Sequence, residues 1–279
     1  MNTIKLWLNT IKTTFTNLPA LAVFALLYAL LLATFFKFIW TREATVWQVL
    51  ITYSFMVLIP AEFFVYQAAI IDRVRDQKFR WRVILVDALK FFVVTIPILL
   101  IGWLLFYLLN KIGGRFPAPT PVALPPASAP APPQPMHWPT FVFSTLRLLL
   151  FGVALPLVTI HLWISFAGGE IGSLFAGPPP LFKRIGGALA RAFAFESVLI
   201  YGLGLIVFVL APYAILFIPF SPKGNKTDFV FFILRLLLAF IFSLIGWVVT
   251  ISALTRNSLE VSPAGSPDKS PAVALEAAA

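Results

Sequence analysis

The sequence contains no cysteine and only two histidines. The absence of cysteine excludes disulfides, iron–sulfur clusters, thiolate zinc sites and cysteine nucleophiles. His137 and His161 cannot complete a zinc site by themselves, and the H-E-x-x-H motif is missing. The glycine loops that bind phosphates and dinucleotides are missing as well. We therefore expect neither a metal nor an organic cofactor.

Charged residues are also scarce. They make up 11% of the 279 residues, whereas 60% are hydrophobic. A soluble domain has roughly a quarter of its residues charged, because its surface must face water. This chain cannot cover itself with polar groups, so its surroundings are predicted to be mostly lipid. This composition excludes a soluble enzyme, a nucleic-acid-binding domain and a disordered protein, despite the net charge of +10.

What the sequence has in abundance is long apolar runs. A membrane-spanning helix needs about 20 predominantly apolar residues. Six stretches meet that requirement, and they predict an all-α integral membrane protein with six transmembrane helices within residues 18–256. The predicted spans are 18–40, 46–71, 91–109, 141–166, 197–220 and 229–254. The first run is too long for a signal peptide, so we expect it to remain as an anchor.

Lysine and arginine are distributed unevenly between the connecting segments. With the N-terminus inside, the inner segments hold thirteen of them and the outer segments six. Because basic residues remain on the cytoplasmic side, both termini are predicted to be cytoplasmic, in a bacterial inner membrane.

The inner connection 72–90 is the most basic segment and is a candidate surface for anionic lipid. Its basic residues are Arg73, Arg75, Lys78, Arg80, Arg82 and Lys90. The alternative is that these basic residues only keep the connection on the cytoplasmic side of the membrane, which requires no ligand.

Three stretches have apolar residues at helical spacing on one face and basic residues on another. These stretches are 1–17, 80–92 and 181–193. Each is too short and too charged to span a bilayer, so we expect three amphipathic helices in the inner interface.

Two predicted spans share the motif FVF-x-x-LRLLL, at 141–150 and 229–238, with eight of ten positions identical. This match favours an internal repeat. The repeat units would be 1–71, 78–167 and 180–254, each an interfacial helix followed by a helical hairpin. The alternative is two inverted three-helix halves, as in many transporters.

Two segments have compositions that do not form a packed core. Residues 111–140 hold ten of the 23 prolines and predict an extended tether on the outer face. A docking segment for a proline-binding partner is the alternative. Residues 257–279 predict a disordered cytoplasmic tail.

Ionisable groups at membrane depth are costly and mark candidate sites. Glu62 is a candidate proton or cation site. The alternative is a structural carboxyl that stays protonated or is satisfied by Tyr66, Gln67 or an arginine of the inner connection. Arg147 and Arg235 occupy the same place in the shared motif and are candidates for binding a lipid phosphate or another anion. The alternative is that each arginine only reaches outward to its headgroup layer.

These observations favour a non-enzymatic multi-pass membrane protein that binds or organises lipid or a membrane partner. The expected partners are the bilayer, anionic lipid at the inner face, and a membrane protein or a second copy of the chain. The alternative is a small transporter for an anionic or proton-coupled substrate using Glu62, Arg147 and Arg235. An intramembrane enzyme using His161 and Ser165 is the third candidate, because these residues lie one helical turn apart.

The predicted topology can be tested by site-directed labelling, because the chain has no native cysteine. Single cysteines placed after Arg75 and after Pro126 are expected to react from opposite sides of the membrane, since the first follows the basic inner connection. The measurement is labelling by a membrane-impermeant maleimide in intact and permeabilised cells. Labelling of both cysteines from the same side would contradict the six-span topology.

Overall fold

The computed structural model describes residues 3–42, 45–116, 137–168, 178–218 and 225–261, and all regular secondary structure in these ranges is helical. Six helices are long and apolar enough to cross a membrane, which confirms the predicted number of spans. The first span is Leu18–Trp40, the second Val46–Asp76, the third Trp81–Gly113, the fourth Trp138–Phe166, the fifth Phe195–Phe217 and the sixth Thr227–Glu260.

Two shorter helices accompany the spans: the N-terminal helix Thr3–Thr16 and the connecting helix Pro178–Ala192. They overlap the stretches 1–17 and 181–193, and the placement of these stretches in the inner interface stays a prediction. The third expected helix, 80–92, is not separate, because it continues without a break into the third span. No proline or glycine interrupts residues 81–91, so nothing in the local sequence ends the helix there.

The helices of several spans extend further than the apolar runs. The second span continues to Asp76, and the third begins at Trp81 rather than at residue 91. The last helix continues through Val261, beyond the point where a tail was expected. Charged residues end an apolar run but not a helix, and this accounts for the difference. Most of the proline-rich segment and the rest of the predicted tail lie outside the described residues.

The fourth and fifth spans each contain one π-helical turn, at Leu150–Ala154 and Ile206–Leu210. Pro156 and Pro212 follow these turns. Proline has no N–H, and its ring displaces the carbonyl four residues earlier, which belongs here to Gly152 and Phe208 respectively.

Side chains of neighbouring spans bind both of these carbonyls. Tyr201 Oη donates to Gly152 O over 3.1 Å, and Ser243 Oγ lies 3.4 Å from Phe208 O. These two carbonyls therefore have hydrogen-bond partners in apolar surroundings, where an unsatisfied carbonyl would be costly.

The spans pack mainly with their neighbours in sequence, and the sixth span is the central element. The second span packs against the first and third spans, and the third also packs against the fourth. The sixth span contacts the fifth and second spans and the N-terminal helix. At Gly246 the backbones approach closely, since an added Cβ would lie 2.8 Å from the Phe208 nitrogen. A side chain at this position would separate the fifth and sixth spans.

A buried ion pair joins the third span to the end of the fourth. Lys90 Nζ lies 2.5 Å from Asp87 Oδ1, and the two side chains are 0% and 2% exposed. Lys90 Nζ also donates to Phe166 O over 3.0 Å, while Asp87 Oδ2 accepts from Gly168 N over 2.8 Å. Gly168 has a φ of +71°, which a residue with a side chain rarely adopts. The pair thus fixes the backbone where the fourth span ends.

The second span is tied to the same place and to its own connection. Arg75 donates to Ala167 O at the end of the fourth span. Arg80 forms ion pairs with Asp72, at 3.3 Å, and with Asp76. These contacts close the end of the bundle that carries residues 72–82, which we call the inner end after its predicted orientation.

We expect removal of either charge of the Asp87–Lys90 pair to destabilise the protein strongly. Asp87→Asn or Lys90→Met leaves its partner buried and uncompensated, which costs about 3–5 kcal/mol. The double variant is expected to cost less than the sum of the two. Thermal unfolding of the purified protein in detergent measures the effect, with the exposed Arg82→Gln as the control. Strictly additive losses would show that the two charges do not interact.

Candidate functional site

A polar cavity of about 360 Å³ lies at the inner end of the bundle. Its walls come from the end of the N-terminal helix, the start of the first span, the end of the second and the end of the sixth. Three threonines of the N-terminal helix line it, together with Asn17, Arg73, Gln77, Ser252 and Arg256. We call this cavity the inner pocket.

Two half-buried arginines from different spans face this pocket. Arg73 lies in the last turn of the second span, and its guanidinium carbon lies 5.5 Å from the centre of the Phe79 ring. Arg256 lies near the end of the sixth span. Within the part of the chain that the structure describes, neither forms an ion pair. Glu260, one turn after Arg256 and exposed, is the acidic group that acts electrostatically on Arg256.

Asn17 connects the fold of the pocket with its chemistry. Its Oδ1 accepts from Ala20 N over 3.3 Å and so caps the first span. The side-chain amide keeps two N–H donors, and the positive end of the first span's helix dipole lies at the same position. The pocket threonines, in contrast, donate their hydroxyl hydrogens to backbone carbonyls of their own helix.

The donors and charges of the pocket suit an anion. Two guanidinium groups, one amide and a helix N-terminus all favour negative charge, and guanidinium binds phosphate oxygens in bidentate geometry. The threonine oxygens add acceptors for hydroxyl groups. Among the described residues, no group of three histidine, aspartate or glutamate side chains is placed to hold a metal ion.

The six basic residues of the inner connection have different environments. The prediction for Lys90 was wrong, because a fully buried and ion-paired lysine does not lie on a lipid-facing surface. Arg75 and Arg80 are engaged in the contacts described above. Lys78 and Arg82 are exposed. Of the six, Arg73 alone is among the residues lining the inner pocket.

The two arginines of the shared motif lie on different elements. Arg147 Nη2 donates to Asn110 Oδ1 of the third span over 2.6 Å. Arg235 is half-buried on the sixth span, which packs mainly against the fifth and second spans and the N-terminal helix. Their binding of a lipid phosphate stays a prediction.

Glu62 pairs with the first span rather than with its own helix. Thr34 Oγ1 donates to Glu62 Oε1 over 3.0 Å. Glu62 Oε2 and Tyr66 Oη are buried, and neither has a hydrogen-bond partner among the described residues. The bond between Glu62 and Tyr66 that the alternative allowed is therefore not formed, and the proton or cation site stays a prediction.

His161 also has a partner on another helix. Its Nδ1 lies 3.3 Å from Ser258 Oγ of the sixth span, and both residues are buried. The structure gives no bond between His161 and Ser165, whose spacing alone suggested a pair. The serine beside His161 is Ser258, which the packing of the sixth span brings there. A local sequence pattern cannot reveal a contact between residues so far apart in the chain.

The other large cavities are lined mainly by apolar residues. One lies between the second and third spans near Pro60, and another lies between the third and fourth spans near Trp163. A third, of about 370 Å³, lies between the N-terminal helix and the fifth and sixth spans.

Sequence reasoning found one of the two pocket arginines. Arg73 was a candidate, but Arg256 and Asn17 were not. Asn17 directly precedes an apolar run, and Arg73 and Arg256 each follow one. The sequence therefore shows that all three lie near the ends of spans. Only the packing of the first, second and sixth spans shows that the three residues share a cavity.

Comparison with known protein families, with curated proteins and with solved structures finds no match. The functional assignment therefore depends on the geometry of this chain.

The cap at Asn17 predicts a difference between two substitutions. Asn17→Ala removes the acceptor for Ala20 N–H and is expected to cost about 1 kcal/mol. Asn17→Asp keeps an acceptor oxygen beside the helix N-terminus and is expected to retain the stability of the native chain. Thermal unfolding in detergent compares the two. Equal stability of both variants would show that the cap contributes nothing.

Proposed function

We propose that this chain is a non-enzymatic multi-pass membrane protein that binds the anionic, phosphate-bearing headgroup of a lipid in the inner pocket. The observation that carries the proposal is the pairing of Arg73 and Arg256 in one polar cavity at the end of an apolar bundle. A lipid phosphate lies at this level of a bilayer, just outside the hydrocarbon region.

The balance of charge in the pocket supports an anion over a cation. Arg73 and Arg256 line it, and no carboxylate is among the lining residues. Glu260 opposes part of the charge of Arg256 from one turn away. A headgroup with a phosphate and hydroxyls fits this combination of guanidinium, amide and threonine oxygen.

The predicted orientation supports the same ligand. If the inner end faces the cytoplasm, the pocket meets the leaflet that carries anionic lipid.

The transporter alternative has one supporting observation, the buried and unpartnered Oε2 of Glu62. A transporter using Glu62 and Arg147 together needs both side chains at one site. Their hydrogen bonds lead instead to Thr34 of the first span and Asn110 of the third. We therefore favour binding of lipid.

The proposal predicts a loss of lipid affinity when either pocket arginine is replaced. Arg73→Gln or Arg256→Gln removes a charge-assisted contact and is expected to weaken binding of phosphatidylglycerol about tenfold. Arg→Lys is expected to recover part of the loss, because it keeps the charge without the bidentate fork. Native mass spectrometry of the purified protein with added lipid measures the affinity.

Two matched variants serve as controls for charge. Arg82→Gln removes the same charge from an exposed position that is not among the pocket-lining residues, and it is expected to change affinity by less than about twofold. Glu260→Gln is expected to strengthen binding, since it removes a carboxylate that acts on Arg256. If Arg82→Gln weakens binding as much as Arg256→Gln does, only the overall charge matters and the pocket is not the site.

A further inference from the structure

An apolar groove adjoins the inner pocket. It is the cavity of about 370 Å³ between the N-terminal helix and the fifth and sixth spans. Trp7, Ile11 and Phe15 line one side, and residues 241–249 of the sixth span contribute to the other. The residues that line the groove present only apolar surface to it.

The groove and the pocket share two walls. On the sixth span, Ile245 and Val249 line the groove, and Ser252 and Arg256 line the pocket. These four residues repeat at intervals of three or four, so they form one continuous stripe along the helix. The stripe changes from apolar to polar within one turn.

The N-terminal helix borders the two cavities with different faces. Ile11 and Phe15, one turn apart, line the groove, whereas Thr14 and Thr16, which point away from Phe15, line the pocket. Thr14 also lies one turn after Ile11, so it stands between the two cavities on this helix. A ligand with one charged end and one apolar end matches this arrangement.

We propose that the occupant of the inner pocket is a phospholipid whose acyl chain lies in this groove. This inference rests on the proposed function, because it assigns the anion in the pocket to a lipid rather than to a free phosphate ester. The phosphate binds Arg73 and Arg256, and the acyl chain packs between the N-terminal helix and the sixth span.

The test compares phosphatidylglycerol with glycerol phosphate, which carries a more highly charged phosphate and no acyl chain. The full-length protein is placed in phosphatidylcholine nanodiscs, and affinities for both probes are measured. Ile245→Trp fills the groove and is expected to weaken phosphatidylglycerol binding about tenfold while leaving glycerol phosphate binding unchanged. Ile11→Trp, from the opposite wall, is expected to do the same and serves if Ile245→Trp does not fold.

The matched control is Ile233→Trp, which makes the same change at an exposed position on the same helix. It is expected to alter neither affinity. Arg256→Gln is expected to weaken both probes, since both carry the phosphate. If Arg256→Gln weakens both and the groove variants weaken neither, the acyl-chain assignment is wrong and the proposed function stands. If Arg256→Gln changes neither, the proposed function fails as well.

A second measurement locates the chain directly. Phosphatidylglycerol with a photoactivatable group in its acyl chain is expected to crosslink to residues 7–15 and 241–249 of the native protein. Glycerol phosphate in excess is expected to reduce these crosslinks, because it competes for the pocket. Crosslinks that spread evenly over all six spans and do not respond to the competitor would overturn the inference.

Discussion

The buried Asp87–Lys90 ion pair is the interaction on which the inner end of the bundle depends. Two charges removed from water are tolerated only when each is fully engaged, and here they also bind Phe166 O and Gly168 N. The pair holds the end of the fourth span against the third. Arg75 brings the end of the second span to the same place. The same turn of the second span carries Arg73, which lines the inner pocket.

The same requirement, that polar groups in apolar surroundings find partners within the protein, explains the irregular spans. Pro156 and Pro212 displace carbonyls, and hydroxyls of Tyr201 and Ser243 lie within reach of them. In each case the partner lies on the next span in sequence. Each proline therefore frees a carbonyl that a hydroxyl of the next span binds. These contacts connect the fourth span to the fifth and the fifth to the sixth.

The charged groups of the protein divide by their surroundings. Lys90 is paired inside the bundle, and Arg147 is bound to a neighbouring span. Arg73 and Arg256 differ from these, because they face one cavity from two helices and form no ion pair in the described ranges. We propose that an anion binds between them. The apolar groove next to the pocket gives this proposed site two chemically different halves.

The sequence by itself determined the all-helical class and the six spans, because length and apolar content alone decide whether a helix can cross a bilayer. It also identified Glu62 as an ionisable group at membrane depth, and it included Arg73 among the six basic residues of the inner connection. The prediction that Lys90 lies on the lipid-facing surface was wrong, because the sequence does not distinguish an exposed lysine from one in a buried ion pair. Tertiary structure decided which residues meet. It places Thr34 beside Glu62, and Arg256 in the same pocket as Arg73. Those partners come from helices far apart in sequence, and apolar spans of similar composition do not reveal which faces meet.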